Sequence, residues 1–252
     1  MNSKVISDEN HTETTSASTQ PTATYSTPEG FQGFPREFVD FLFGLQFNNT
    51  MSAIEENKLS YKRLITQPLM QLFYELTPAA MAVSDTITTR PSRCVSTMYS
   101  DMRFSRDTPM KEYMYIRFRE PGRQRDILGL YFDMGWERYS YGLRIYKQTA
   151  AGMAAIRDGI LANRQAFARE LNAAYDLGMT IHGDMFARDR FPDIEEETLK
   201  NLLNRKQFYI SKDCPVGENV FSHRLANEIS QAFASLKGLY KLINQHVGSK
   251  PK

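Results

Sequence analysis

The sequence predicts an α+β fold: an antiparallel sheet of about four to six strands packed with N-terminal and C-terminal helices. Three observations carry that expectation. Apolar residues recur at helical spacing between Phe38 and Leu76, and again between Met153 and Ile243. Between those regions Tyr113 to Arg119 alternates with a period of two, placing Tyr113, Tyr115, Arg117 and Arg119 on one side and Met114, Ile116 and Phe118 on the other. The links between the strand-like runs are short, and a parallel crossover would need a dozen or more residues.

The elements follow in order. Residues 1 to about 30 are rich in Ser and Thr and poor in large aliphatics. Such a segment cannot bury enough apolar area to offset an ordering cost of roughly 1–2 kcal/mol per residue. It reads as a disordered tail ahead of a single α+β domain over residues 31–248. Pro35 suits a helix's first turn, and Phe38, Phe41, Leu42 and Leu45 fall on one face; Asn48-Asn49 breaks that helix. Thr50 or Ser52 can cap a second helix, with Glu55 and Glu56 in its first turn. Pro68 is expected to open a third, carrying Leu69, Leu72, Phe73 and Leu76, and Pro78 to end or kink it.

Thr86 to Thr89 and Cys94 to Tyr99 are rich in β-branched and aromatic residues, and the second run reads as a strand. After Tyr113 to Arg119 comes a hairpin turn at Pro121-Gly122. Ile127 to Met134 and Trp136 to Tyr146 read as two more strands, with breaks near Gly135 and Gly142. Trp136, the lone tryptophan, is expected in the core. Thr149 and Asn163 can each cap a helix, the second followed by Gly178. Met179 to Phe186 and Gln207 to Ser211 read as short strands on either side of a helix with an acidic start at Glu195 to Glu197. Ser222 caps one long C-terminal helix that Gly248 ends.

Net charge is +2, and nucleic-acid binders usually show a strong basic excess. No run of about 18 apolar residues is present, so no membrane contact is expected. The two cysteines, Cys94 and Cys214, read as reduced thiols, and the N-terminus lacks the apolar core of a signal peptide. Together these features suit a cytoplasmic protein.

Tyr99 to Lys111 concentrates charge between two strand-like segments, as either a solvated turn or an arranged site. Arg103, Arg106 and Lys111 surround it, and Arg117, Arg119, Arg123 and Arg125 follow. Arg117 and Arg119 share a strand face, and such a face could hold a phosphate or carboxylate. The plainer account is a solvated face neutralised by Asp101, Asp107, Glu112 and Glu120. His182-Gly183-Asp184 sets a histidine beside a carboxylate, but the other histidines sit in no metal-ligand spacing, so no metal is expected. There is no Gly-rich phosphate loop, HExxH helix, CxxC pair or GxSxG elbow, and no cofactor is expected.

The order of segments from about Phe34 to Ile243 resembles a bacterial and fungal family, domain of unknown function number 2461. That family's central signature reads approximately Arg-Asp-x-Arg-Phe-Ser-Lys-Asp-Lys-Thr-Pro-Tyr-Lys. Here it stands as Ser100-Asp101-Met102-Arg103-Phe104-Ser105-Arg106-Asp107-Thr108-Pro109-Met110-Lys111. Asn48-Asn49, Asn57-Lys58 and Tyr61, the Ile156 to Ile160 helix, and Leu202 to Ser211 match in order. Ser100 replaces an arginine, Met110 replaces a tyrosine, and one lysine after Asp107 is missing. The resemblance implies an α+β fold and no established activity.

Three functional readings follow. The first is a small anionic or phosphate-containing ligand bound around Arg103, Arg106, Asp107 and Lys111, with Asp101 and Ser105 beside them and Asn48, Asn49 and Lys58 approaching from the helices. The alternative is a non-catalytic interaction protein, with partner unspecified, in which the cluster is a structural ion-pair network. The lesser alternative is nucleic-acid binding through the Arg117 to Arg125 ribbon.

Overall fold

A computed structural model describes residues 30–50, 52–100, 110–121 and 127–247. The predicted tail, the Gly122 half of the hairpin turn and Gly248 therefore lie outside the described residues. The architecture is α+β. Five antiparallel strands, β1 (Met114–Arg119), β2 (Ile127–Met134), β3 (Arg138–Tyr146), β4 (Thr180–His182) and β5 (Tyr209–Pro215), are ordered β1-β2-β3-β5-β4. Helices α1 (Glu37–Gly44), α2 (Ala53–Tyr61), α3 (Gln67–Val83) and α4 (Pro91–Cys94) precede the sheet. Helices α5 (Ala150–Ala162) and α6 (Arg164–Asp176) separate β3 from β4, and α7 (Glu197–Leu203) separates β4 from β5. Helices α8 (Arg224–Ser235) and α9 (Lys237–Asn244) close the chain.

The alternation in β1 does what its period demands. Met114, Ile116 and Phe118 are fully buried, against Phe73 of α3, whose ring stacks on Phe118 at 5.3 Å, and Phe233 of α8 at 6.2 Å. Leu128, Leu130 and Phe132 of β2 and Leu143 and Ile145 of β3 continue this apolar face. The core is the layer between that face and the helices, where each large side chain contributes about 1.5–3 kcal/mol by burial.

Of the two prolines, one behaves as expected and one does not. Pro68 stands in the first turn of α3, although α2 runs into that helix through one turn of π-helix, Lys62–Thr66. The wide turn bonds the Gln67 N–H to the Lys62 carbonyl, so the extra residue makes room for a ring lacking an N–H. At Pro78 the Thr77 hydroxyl donates to the Phe73 carbonyl at 2.7 Å, and the helix continues to Val83. The C-terminal helix, expected as one, divides at Leu236.

Gly142 lies inside β3 rather than at a break. A Cβ there would sit 2.0 Å from the Ile210 carbonyl oxygen, so the glycine serves the close approach of β5. Thr86 to Thr89 forms no strand, and Cys94 to Tyr99 contributes only the bridges Val95↔Ile116 and Tyr99↔Met110. This segment nonetheless runs along the free edge of β1. The Ser96 N–H donates to the Tyr115 carbonyl (2.9 Å), the Tyr115 N–H to the Ser96 hydroxyl (3.1 Å), and the Thr88 N–H to the Arg119 carbonyl (2.9 Å). Trp136, at the β2–β3 turn, is half-buried at the margin of the core, 4.8 Å from the Phe43 ring.

Several expected signals act as expected. The Thr149 hydroxyl caps α5 by accepting the Gly152 N–H at 2.9 Å. Gly178 follows α6 with φ +78°, and its N–H donates to the Tyr175 carbonyl. Thr50 accepts the Ala53 N–H at the start of α2.

Candidate functional site

The second face of the sheet is polar, and the strand register arranges it in rows. Tyr115, Asp133, Ser140 and Asp213 stand side by side across β1, β2, β3 and β5. The next row is Arg117, Tyr131, Gly142, Ser211 and Thr180, and the third is Arg119, Gly129, Arg144, Tyr209 and His182. Tyr146 lies beyond, opposite Ile127.

Arginines and tyrosines interleave here. The Arg117 guanidinium carbon lies 3.7 Å from the Tyr115 ring centroid and 5.6 Å from that of Tyr146. Arg119 and Arg144 approach the same Tyr146 ring at 5.6 and 5.7 Å, so three cations surround one aromatic. Two glycines shape the surface. Gly129 leaves the space between Arg119 and Arg144 free of a side chain. Gly142 lets the Tyr131 hydroxyl come within hydrogen-bonding reach of Ser140 and Ser211, while burial pushes that phenol up to about 12.

Four buried side-chain atoms lack a hydrogen-bond partner among the described residues: Arg117 Nε, Asp133 Oδ1, Tyr146 Oη and Tyr61 Oη. Three stand on this face. The fourth, on α2, is near enough to Tyr115 for the two phenols to interact electrostatically. Burial raises the Asp133 carboxyl above its ordinary value against the opposing pull of Arg117 and Arg144. Burial likewise raises Tyr146, opposed first by Arg117. Chemically, the cluster offers guanidinium donors, a carboxyl and a phenol free to donate.

At the far edge, His182 stacks on Tyr209 with centroids 4.9 Å apart, and its Nε2 lies 3.4 Å from Asp213 Oδ2 and 2.7 Å from the Thr180 hydroxyl. Its carboxylate neighbour is thus Asp213, rather than the sequence-adjacent Asp184. Among the described residues no group of three or more His, Cys, Asp or Glu could hold a metal ion.

Of the residues singled out from sequence, Asp101, Arg103, Ser105, Arg106 and Asp107 lie outside the described residues, as do Arg123 and Arg125. Asn49 is buried, and its amide pairs with Met110 in both directions: Nδ2 donates to the Met110 carbonyl (2.8 Å) and Oδ1 accepts the Met110 N–H (2.9 Å). The Lys111 ammonium donates to the Thr97 carbonyl and hydroxyl (3.0 and 3.2 Å) and lies 5.4 Å from the Tyr115 centroid. Burial and then Arg117 lower its pKa. Lys111 thus adjoins Tyr115 and Arg117, whereas Asn48 is exposed and Lys58 pairs with Glu55 at 3.8 Å.

Sequence reasoning found the shared face of Arg117 and Arg119 but missed Asp133, Arg144 and Tyr146. The signal was present in β2. Gly129, Tyr131 and Asp133 alternate with Leu128, Leu130, Phe132 and Met134, so a lone aspartate occupied the polar phase of an otherwise apolar strand.

No curated protein matches the chain in sequence. Residues 37–242, which take in every strand of the sheet and the helices from α1 to α8, match the family described as conserved hypothetical protein (DUF2461), and the chain belongs to that family.

Proposed function

We propose that the polar face of the sheet binds a small ligand through a phosphate or carboxylate group. The observation that carries this reading is the group of buried atoms bordering one face that have no partner among the described residues. Folded proteins satisfy nearly all buried polar groups, and one left unmet costs about 1–3 kcal/mol. Arg117, Arg119 and Arg144 supply paired donors at fixed geometry around Tyr146, which suits an anionic oxygen group. A purely structural ion-pair network is less favoured, because none of these three arginines has a carboxylate within 4.0 Å among the described residues. Asp133 and Asp213 on the same face disfavour nucleic acid. The free thiols of Cys94 and Cys214 are consistent with a reducing, cytoplasmic setting. No helix among the described residues is long and apolar enough to cross a membrane.

The test is thermal unfolding against inorganic phosphate, citrate, sugar phosphates and nucleotides, with Arg117→Ala as control. A ligand at a hundred times its dissociation constant stabilises by roughly 2.7 kcal/mol. At least one anion should raise the midpoint of the wild type and leave Arg117→Ala unmoved. A flat response to every anion sinks the reading.

A further inference from the structure

We infer that the anionic group is carried by a polyol of three to six carbons, as in a sugar phosphate or sugar acid. This inference rests on the anion-binding reading and goes on to name the class of ligand. Its basis is the row next to the arginines. Tyr115 faces Asp133 and Arg117 faces Tyr131, so Arg117 and Asp133 are diagonal neighbours, roughly 7–8 Å apart at the backbone. Beyond Asp133 the row continues through Ser140 to Asp213, and these three residues line a cleft of about 370 Å³ together with Tyr113 and Arg138. A second cleft, of about 220 Å³, is lined by Arg144, Tyr146 and Tyr209. The polar face is therefore flanked by a cationic end and an end rich in acceptors and hydroxyls.

Two carboxyl groups close to three guanidiniums do nothing for a bare inorganic anion; they weaken its attraction. They suit a ligand whose anionic group is followed by hydroxyls, because a carboxylate accepts several hydrogen bonds and hydroxyls both donate and accept. Asp133 Oδ1 is a buried acceptor with no donor among the described residues. Ser140, and Tyr131 within its reach, add hydroxyls of the same character. Tyr113, half exposed at the cleft, presents an aromatic surface to the C–H face of such a ligand. A wholly cationic ligand is disfavoured by the arginines. A neutral sugar would leave Arg117 Nε without an anion.

Isothermal titration of the full chain at pH 7 with inorganic phosphate, glucose 6-phosphate, gluconate, glucose and alanine tests this. Glucose 6-phosphate or gluconate should bind at least tenfold more tightly than inorganic phosphate, glucose and alanine, and which of the two binds tells phosphate from carboxylate. Asp133→Asn should raise phosphate affinity, since a repelling charge is gone, and should shrink the advantage of the sugar anion at least threefold. Asp213→Ala, at a half-exposed position, should shrink it too and serves if Asp133→Asn does not fold by circular dichroism. Equal binding of phosphate and both sugar anions overturns the polyol assignment while leaving anion binding intact. So does glucose or alanine binding as tightly as the better sugar anion, or an advantage that survives the substitutions. Absence of binding by every anion overturns the parent reading instead.

Discussion

The two faces of the sheet treat buried polarity in opposite ways. On the helix-packed face, Glu228 of α8 reaches in among apolar side chains, and its carboxylate is fully used. It accepts from the Tyr141 hydroxyl (2.7 Å), the Asn219 amide (2.9 Å) and the Tyr139 hydroxyl (3.4 Å), with Lys212 at 3.7 Å. Glu120, at the end of β1, is satisfied in the same manner by Ser84 and Thr86, each at 2.6 Å, and by Tyr240 at 2.9 Å. On the polar face, the half-buried Arg117, Asp133 and Tyr146 each bury an atom that has no partner among the described residues. The chain can satisfy a buried carboxylate when stability alone is at stake. That it does not do so on one face, among the described residues, is what supports the proposal that this face binds a ligand.

Substitutions can break or sharpen this contrast. The largest effect should come from Glu228→Ala, which strips acceptors from Tyr141, Tyr139 and Asn219. Because the Glu228 side chain keeps some access to water, a loss of about 2 kcal/mol in urea unfolding is expected. A loss under half of that would mean the network on the helix side is decorative and the contrast false.

Tyr146→Phe should behave in the other direction. Removing a buried hydroxyl that has no partner among the described residues should leave stability unchanged or raise it by up to about 1 kcal/mol. Marked destabilisation in the same urea assay would show that the hydroxyl is satisfied in solution.

The smallest effect concerns pH. Burial raises the Asp133 carboxyl above its ordinary 3.8, so folding favours its protonated form. That contribution is present in acid and is lost as pH rises through the folded-state value. Asp133→Asn does not titrate. Its stability relative to wild type should therefore climb from about pH 4 upward and then level off once the carboxyl is ionised. Urea midpoints at unit pH intervals would reveal it, and a constant difference would place Asp133 in an ordinary, hydrated environment.

Local patterns made much of the fold legible. The β1 alternation, the Thr149 cap and the Gly178 stop depend on residues within a few positions of one another, and each signal survives in the folded chain. Gly142 misled because its meaning is distant: the absent side chain accommodates the Ile210 carbonyl, 68 residues later in the chain. Pro78 misled because the helix continues past its missing N–H and packs Ala80 and Val83 into the core beyond it. The polar face was half legible for the same reason. Parity within one strand joined Arg117 to Arg119, but only the pairing of β1, β2 and β3 brings Asp133, Arg144 and Tyr146 to them, and no spacing in sequence encodes that register.

The segment lying along β1 has a consequence for how the protein meets other chains. A bare edge strand is a template onto which a foreign strand can add, and this sheet offers little of one. Ser96 occupies both backbone groups of Tyr115, Thr88 takes the Arg119 carbonyl, and Asn49 fills the ladder position at Met110 with a side-chain amide in place of a peptide. At the opposite margin β4 is only three residues long, and the β5 residues beyond its pairing are Lys212, Asp213, Cys214 and Pro215. Sheet-to-sheet growth is thus blocked at β1 and blunted at β4. A strand approaching β1 therefore meets main chain that is already engaged at Tyr115 and at the Arg119 carbonyl.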